Sequence, residues 1–433
     1  MSDLDNSQSN SKIKILFRSW VEIAHSYAIV NCFQIIHLYK NHGDKIEIYI
    51  QEMPYFRPEW NSQKKLVYNP EYNNIIKNLK QWKGEDVDLI YSITYPYNMD
   101  MVFTNTKKIP KCVFYTSEFA TLDPNFFQCT QRRLFSDEQI TKYVKENDNL
   151  YMTSPSFWSS LGMEKYGLAK EKNRIITHGV DSSIFYKTER SGKEIRDFYK
   201  VKDDEILLMN IGAMTQNKGM FLILQTLNIL VNHLGKTKYK LLLKGTGDLY
   251  NSKAFLEIYF DELIKAKVLN KANMDNLLNN HIIFTDKTLS YAKINDLFNA
   301  ADLYLSPYIA EGFNLTSLEA LAAGTCVVVP RTGSTKEYME DIYKNSGNHY
   351  IYYVNSNVIH VGEGRHQNQI EIGDLVNCIL ENEQKIKKMK NDEIHYKNMK
   401  KYIEKDYSWN KVSDLLMDYF RFIIVTSTNQ KSI

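Results

Sequence analysis

Short apolar runs alternate with longer, helix-like segments along the first third of the chain. The runs IKILF (13–17) and IEIYIQ (46–51) are brief and continuous, as in strands buried within a parallel sheet. Residues 26–43 between them predict a helix, with Ser26 as the N-cap and Gly43 just past its end. Further strands are predicted in VDLIYSI, KCVFYTS and NLYMTS, and a further helix at 155–167.

A second series of alternating elements begins near residue 205. The strand EILLMNIG ends in Gly212, a helix follows to Gly235, and YKLLLKGTGD predicts a strand and a glycine-rich loop. Three more strands are predicted in HIIFTD, ADLYLSP and CVVVP. Two such series predict an α/β fold with two doubly wound, Rossmann-like parallel sheets. The polar stretch 181–204 is the predicted linker, which gives domains at 1–182 and 183–405, followed by a helix and polar tail at 406–433.

Residues 301–338 contain the most informative pattern in the chain. A strand ending at Pro307 precedes a loop, a short helix of about 315–323 closed by Gly324, and a strand at 326–329. The N-terminus of a helix beside the carboxyl ends of parallel strands favours phosphate, because its N–H groups are free and its dipole is positive there. We therefore predict a diphosphate site at the residues Phe313, Asn314, Leu315 and Thr316.

Two carboxylates flank this predicted site. Glu311 precedes the helix and Glu319 lies within it, so both side chains can face one cleft. A ligand with hydroxyl groups on either side of a diphosphate, such as a nucleotide sugar, fits that layout. Taken singly, each acid has a simpler interpretation: Thr316 to Glu319 has the spacing of a capping box, and Glu311 could be a solvated loop residue. Their joint occurrence beside a glycine-bounded helix favours the binding site.

The same stretch resembles the C-terminal signature of retaining glycosyltransferase family 4, whose members have the GT-B fold. The shared features are the Glu-x7-Glu spacing of Glu311 and Glu319, the strand after Gly324, and a turn from Gly333 to Glu337. The resemblance extends to NIGAMTQNKGM, similar to the family's Lys-Gly turn, and to THGVD, similar to its interdomain hinge. It implies two domains facing a cleft, with the donor bound by the second and the acceptor by the first. In relatives the last helix crosses back to the first domain.

The resemblance also implies roles for individual residues. Glu311 would contact the hydroxyls of the donor sugar near the reacting carbon, and Glu319 would hold the ribose hydroxyls. Lys218, in the Lys-Gly turn, would pair with the diphosphate, where a compact positive charge meets the charge developing on the leaving group. Gly312 and Gly212 would line the donor site. A solvent-facing lysine is the simpler interpretation of Lys218.

The chain departs from the family pattern at three places. Ala213 follows Gly212 where the family usually has Arg, and we hypothesise that Lys244 supplies the missing charge. The loop after the first strand lacks the family's glycines, although His25 could reach the cleft from it. Glu118 lies where many members have a His. His25 and Glu118 are therefore the acceptor-side candidates.

Composition narrows the class of protein. Lys plus Arg is 54 and Asp plus Glu is 51, so the net charge is 54 − 51 = +3, too small for a nucleic-acid binder that works by bulk charge. Hydrophobic residues make up 43%, which favours a globular protein over disorder. The five cysteines include no C-x-x-C pair, and no apolar run reaches the ~20 residues of a membrane span. A polar, acidic start without signal-peptide character predicts a cytoplasmic protein.

Other motifs compete with this interpretation. Asp86 and Asp88 form the Asp-x-Asp pattern of metal-dependent GT-A enzymes, although they more simply begin a buried strand. Gly245 and Gly247 give half a dinucleotide fingerprint, but Tyr250 stands where its third glycine belongs. We therefore expect no metal and no cofactor. The lysine run 385–390 could touch an anionic membrane, but a solvated helix face is the simpler interpretation.

Together these observations predict a retaining enzyme that moves a hexosyl group from a nucleotide sugar to an acceptor, which is a glycan, a protein or a lipid. Two alternatives stay open because of the missing Arg and His. One is a GT-B scaffold that binds nucleotide without catalysis, and the other is a GT-B phosphorylase or epimerase. The sequence leaves the sugar, the base and the oligomeric state undetermined.

Overall fold

A computed structural model describes residues 12–429, except 22, 63–67, 101–102, 105–106, 130–131, 134–135 and 348. Two parallel sheets dominate it. The seven-stranded sheet has the order β12-β11-β8-β4-β1-β2-β3, and the six-stranded sheet has the order β15-β14-β13-β16-β17-β18. Every pairing in both sheets is parallel. The predicted α/β fold class with two Rossmann-like sheets is confirmed.

The first half of the chain supplies the seven-stranded sheet and two smaller sheets. Its strands are β1 Ile13–Ser19, β2 Ile46–Glu52, β3 Lys80–Gln81, β4 Leu89–Ile93, β5 Tyr97–Asn98, β6 Phe103–Thr104, β7 Lys107–Lys108, β8 Lys111–Phe114, β9 Phe127–Cys129, β10 Arg132–Arg133, β11 Leu150–Ser154 and β12 Asn173–Ile175. Its helices are α1 Ser26–His42, α2 Pro70–Lys77, α3 Asp137–Glu146 and α4 Phe157–Glu164. β10, β9 and β5 form a small sheet, and β6 pairs with β7.

The second half supplies the six-stranded sheet and most of the helices. Its strands are β13 Ile206–Ile211, β14 Tyr239–Lys244, β15 Ile282–Thr285, β16 Leu303–Leu305, β17 Cys326–Pro330, β18 Ile351–Val354, β19 Asn357–His360 and β20 His366–Gln369. Its helices are α5 Glu189–Phe198, α6 Met220–Asn228, α7 Gly247–Tyr250, α8 Ser252–Lys265, α9 Lys271–Asn276, α10 Tyr291–Ala300, α11 Leu315–Ala322, α12 Lys336–Ser346, α13 Ile372–Lys390, α14 Glu393–Asp406 and α15 Trp409–Asn429. β19 and β20 form a hairpin.

The structure corrects two details of the sequence interpretation. His25, not Ser26, caps the first helix, because its Nδ1 accepts a hydrogen bond of 3.2 Å from the Tyr27 amide. The predicted linker contains helix α5, whose Arg196 is buried and donates to Asp302 Oδ2 at 3.0 Å. That buried ion pair anchors α5 to the second sheet, so the stretch is a packed element rather than an open connection.

The last helix, α15, packs against the first half of the chain. The ring of Trp409 stacks on Phe33 of α1 with the centroids 5.4 Å apart, and Phe420 lies 5.1 Å from Tyr91 of β4. His37 of α1 also bonds Asn410 at 2.7 Å. Among the helices described, none is both long enough and apolar enough to pass through a lipid bilayer.

Candidate functional site

Helix α11 begins at an asparagine held in an unusual backbone conformation. Asn314 has φ 71° and ψ 62°, in the left-handed region that Asn tolerates better than most residues. Its amide donates to Ser306 Oγ at 2.6 Å and accepts from the hydroxyls of Thr316 and Ser317 at 3.2 and 3.1 Å. These three hydrogen bonds hold the turn at Asn314 in its conformation. The Ser317 amide donates to the Asn314 carbonyl at 3.2 Å and no side chain among the described residues caps α11, so the Leu315 and Thr316 amides are those that an anion would use.

The capping-box alternative is wrong for this helix. Asn314 is the residue before the helix and Leu315 is its first residue, so Glu319 occupies the fifth helical position rather than the third. Glu319 is 8% exposed, and burial raises the pKa of its carboxyl to about 8. The carboxyl also raises the pKa of buried Tyr291, after the larger effect of burial, which places the two side chains near each other.

Glu311 forms an ion pair with Lys218. Lys218 ends a short 3-10 turn, and Gly219 follows it with φ 74°. A Cβ atom at Gly219 would clash with the carbonyl oxygen of Pro307, so glycine lets this turn press against the end of β16. The Lys-Gly turn therefore places the Lys218 ammonium beside the loop that carries Glu311. Both side chains are largely buried. Burial is the largest single effect on Lys218 and lowers its pKa, but the nearby acids, chiefly Glu311 and Glu118, together outweigh it, so the pKa of Lys218 is raised.

Glu118 reaches this ion pair from the first half of the chain. Its Oε2 accepts a hydrogen bond of 3.1 Å from the side chain of Asn217, the residue before Lys218. Desolvation by the surrounding protein raises the pKa of the Glu118 carboxyl to about 7. The charge of Lys218 opposes that rise, and the Glu311 carboxylate adds to it. The structure thus brings Glu118, Lys218 and Glu311 together, although they come from opposite halves of the chain.

His25 lies on the other side of Lys218, within a group of aromatic rings. Its ring centroid is 5.0 Å from Trp20, 5.3 Å from Trp60 and 6.3 Å from Tyr250. Burial and, to a lesser extent, the charge of Lys218 lower the pKa of His25 to about 4, so the ring is neutral at physiological pH. Tyr250 belongs to the second half of the chain, so this aromatic group joins the two halves.

Gly312 contacts the first half of the chain through its backbone. Its carbonyl oxygen accepts hydrogen bonds from Ser156 and Ser159, at 2.7 and 3.1 Å. A Cβ atom at this position would lie 2.9 Å from the Cβ of Thr116, so a larger residue does not fit. The next residue, Phe313, stacks on Tyr338 with the ring centroids 4.5 Å apart.

Lys244 occupies a different part of the second half from Lys218. Its backbone oxygen accepts from the Gly212 amide at 3.1 Å, and its Nζ donates to the Gly245 carbonyl at 2.6 Å. Burial lowers the pKa of Lys244 to about 8, while Asp248 and Asp286 raise it. The carboxylates that act on Lys244 are therefore Asp248 of α7 and Asp286, which follows β15, and not Glu311.

The competing Asp-x-Asp motif has a structural role. Asp88 Oδ2 accepts a hydrogen bond of 2.9 Å from the backbone amide of Lys14, so this acid holds the start of β4 against β1. Within the described ranges, no group of at least three His, Cys, Asp or Glu residues is arranged to hold a metal ion.

Sequence reasoning missed several residues that shape this site. They are Ser156, Ser159, Asn217 and Tyr250. Ser156 had a local signal, since a serine after a proline commonly caps a helix, and its Oγ does accept from the Ser159 amide at 3.0 Å. The contacts that these residues make with the opposite half had no local signal.

Comparison with known proteins finds a family match in the second half of the chain. Residues 205–355, which include Lys218, Glu311 and Glu319, match the family of glycosyl transferases group 1. These residues are about a third of the chain. The resemblance drawn from the sequence motifs is therefore confirmed at the level of the family, and with it the expectation of a glycosyltransferase-type domain.

The matches to curated relatives cover only about half of each relative's length. A Methanocaldococcus jannaschii protein described as an uncharacterized glycosyltransferase is 26% identical over 216 residues, which are 48% of this chain and 50% of that protein. The glycogen synthase of Streptococcus sanguinis is 24% identical over 229 residues, or 46% of this chain and 44% of the enzyme. The chain thus matches about half the length of these curated relatives.

Solved structures share the fold across nearly the whole chain. Sucrose-phosphate synthase from Thermosynechococcus elongatus has a TM-score of 0.63 at 12% identity, over 96% of this chain and 100% of that one. HepE from Anabaena, solved in complex with UDP and glucose, has a TM-score of 0.57 at 13% identity, over 94% and 98%. The GT-B fold expected from the group 1 motifs is confirmed by this likeness.

Proposed function

We propose that the protein is a retaining glycosyltransferase that moves a hexosyl group from a nucleotide sugar to an acceptor bound by the first half of the chain. One observation carries the proposal. Glu311, which forms an ion pair with Lys218, lies four residues before Leu315, the first residue of α11. We infer that this cation, the N–H groups of α11 and the acids Glu311 and Glu319 together bind the nucleotide sugar.

Each group has a distinct role in the proposed reaction. The Lys218 ammonium and the N–H groups of α11 stabilise the negative charge that develops on the departing diphosphate. Glu311 accepts hydrogen bonds from hydroxyls of the hexose and orients its anomeric carbon. Glu319 accepts from the ribose hydroxyls. We propose that this cation and these N–H groups, rather than a divalent metal ion, neutralise the leaving group.

Uridine diphosphate sugars are the first donors to test. The Anabaena protein of the same fold was solved with UDP and with UDP-glucose. We expect the purified protein to hydrolyse at least one nucleotide sugar slowly, even without an acceptor, and to release free nucleoside diphosphate. Mass spectrometry of a donor panel, with and without a chelator, measures that release, and NMR of the first product reports retention at the anomeric carbon.

Glu311→Ala should abolish this hydrolysis with the fold intact, whereas Glu257→Ala, on the exposed face of α8, should not change it. Wild-type rates in the Glu311 variant would refute the site. Nucleotide binding without any turnover would favour the alternative of a GT-B scaffold that binds nucleotide without catalysis. That alternative is supported by Ala213, which stands where the family usually has Arg. Release that depends on inorganic phosphate would favour a phosphorylase.

A further inference from the structure

Three polar side chains stand side by side near the carboxyl ends of neighbouring strands in the first sheet. Arg18 of β1 pairs in register with Gln51 of β2 on one side and with Ser92 of β4 on the other. Residues in register on parallel strands project from the same face, here the face that also carries Leu16 and Ile90. We refer to Arg18, Gln51 and Ser92 as the polar row. None of them has a role in the proposed donor site.

The polar row contains buried atoms without hydrogen-bond partners. They are Nε and Nη1 of Arg18, Oε1 of Gln51 and Oγ of Ser92, none of which bonds any residue that the structure describes. Leaving a buried polar group unpaired costs about 1–3 kcal/mol, and more when the group is charged. The Arg18 residue as a whole is partly exposed, although its Nε and Nη1 atoms are themselves buried. Such a cost is typical of a site that a ligand completes.

The charges around the polar row leave an excess of positive charge. Lys111 is fully buried, and its Nζ donates to two uncharged oxygens, Asn98 Oδ1 at 2.9 Å and the Asp100 carbonyl at 2.6 Å. Burial lowers the pKa of both Arg18 and Lys111, and the carboxylate of Asp100 raises both. Asp100 is the one carboxylate that acts on both Arg18 and Lys111 among the described residues, and the charge of Arg18 lowers the pKa of Lys111 further, which favours an anionic ligand beside Arg18.

Aromatic rings follow the strands on either side of Arg18. Phe56 lies five residues after Gln51 and is 40% exposed, and Tyr95 lies three residues after Ser92. Their ring centroids are 4.9 Å apart, and Phe126 lies 5.6 Å from Tyr95. Exposed aromatic faces provide apolar surfaces on which the C–H face of a sugar ring packs.

We propose that the polar row binds an anionic oxygen group, a phosphate or a carboxylate, on the acceptor, and that the sugar ring of the acceptor packs on Phe56 and Tyr95. The Arg18 guanidinium donates a charge-assisted hydrogen bond to one oxygen of the anion through one of its two unpartnered N–H groups, Nε or Nη1. The Ser92 hydroxyl donates to the same group, and Gln51 Oε1 accepts from a hydroxyl of the ligand. This inference rests on the proposed function only in naming the ligand as the acceptor.

The test measures inorganic phosphate binding to the full chain by thermal shift and titration calorimetry, with UDP present to fill the donor site. Arg18→Met should weaken phosphate binding by about tenfold or more, as expected for the loss of charge-assisted hydrogen bonds. Because the substitution removes two buried nitrogen atoms without hydrogen-bond partners among the described residues, the melting temperature without phosphate should stay the same or rise. The matched control is Lys14→Met, four residues earlier on the same face of β1, which should leave phosphate binding unchanged.

Unaltered phosphate binding in Arg18→Met would overturn the proposal, and so would equal losses in both variants. If UDP fails to bind while phosphate binding still depends on Arg18, the proposed function fails and the anion site stands. Three probes then identify the source of the anion: glucose 6-phosphate, glucuronic acid and vesicles of anionic phospholipid. Competition with phosphate by any one of them, lost in Arg18→Met, supports the site, and competition by none of them overturns the assignment to an acceptor.

Discussion

The hydroxyl of Ser156 donates a hydrogen bond of 2.7 Å to the carbonyl oxygen of Gly312. This bond connects the start of α4, in the first half of the chain, to the residue immediately after Glu311. The acid proposed to orient the sugar is therefore held in place partly by the opposite half. Any change that separates the halves should move Glu311 before it unfolds either sheet.

Gly312→Ala should slow transfer without unfolding the protein. The added methyl group would lie 2.9 Å from the Thr116 Cβ, which forces the two halves apart. Overpacking of this kind costs about 1–3 kcal/mol, so we expect the turnover rate to fall roughly tenfold or more. Turnover and small-angle scattering measure the two effects. Gly373→Ala, whose methyl group would enter open space in α13, is the control; equal rates in both variants would contradict the prediction.

Lys218→Met should weaken binding of the nucleoside diphosphate more than binding of the nucleoside. The ammonium is the cation beside Glu311, and a hydrogen bond to a charged group contributes about 1.5–3 kcal/mol, so the diphosphate should lose at least about tenfold in affinity. Calorimetry with UDP and with uridine separates the two. An equal loss for both ligands would show that Lys218 only supports the fold.

Glu319→Gln should stabilise the unliganded protein at high pH only. Burial raises the pKa of Glu319 from 4.5 to about 8, so the folded state binds the proton more tightly than the unfolded state. The contribution of this group to stability is present below pH 4.5 and is lost as the pH rises to 8. We expect the variant to gain at least about 1 kcal/mol in the free energy of unfolding above pH 8.

The same variant should match the wild type at pH 4, where the carboxyl is protonated in both states, and it should bind nucleotide less tightly at pH 8. Denaturant unfolding at the two pH values measures the difference between the proteins, in which other titrating groups cancel. A gain in stability that did not change with pH would show that the Glu319 carboxyl is not the source.

Lys244→Met tests whether this lysine replaces the arginine absent after Gly212. Burial lowers the pKa of Lys244 to about 8, so its charge is lost as the pH rises through that value. If Lys244 acts on the diphosphate, UDP affinity should be lower in the variant at pH 7 and should approach that of the wild type near pH 9. Because Glu319 titrates over a similar range in both proteins, the informative quantity is the ratio of the UDP affinities of wild type and variant at the same pH. A ratio of one at pH 7 would refute the hypothesis.

Much of the fold followed from local pattern, because a buried parallel strand such as Ile206–Ile211 is a continuous apolar run. Helix α5 could not be predicted from local pattern, although residues Glu189–Phe198 are helical in the structure. It packs through Gly192, where a Cβ atom would lie only 2.5 Å from the Asn299 carbonyl oxygen. A helix that packs through its backbone shows little apolar periodicity, so its polar composition suggested a linker.

The same distinction holds for the site. Glu311, Glu319 and Lys218 lie in motifs whose spacing is visible along the chain. The bond from Asn217 to Glu118 joins residues 99 positions apart, and it depends on how the two sheets face each other. The spacing of residues within a motif carries no information about that arrangement, so the partners of Glu118 appear only in the structure.

The position of α15 has a consequence for how the protein is made. This helix covers α1 and β4, which are synthesised several hundred residues earlier. During translation the nascent first sheet therefore exposes the rings of Phe33 and Tyr91 until the last helix leaves the ribosome. We therefore expect the growing chain to be partly open and prone to aggregation during synthesis. Its yield in cells should depend on chaperones that cover the exposed surface around Phe33 and Tyr91.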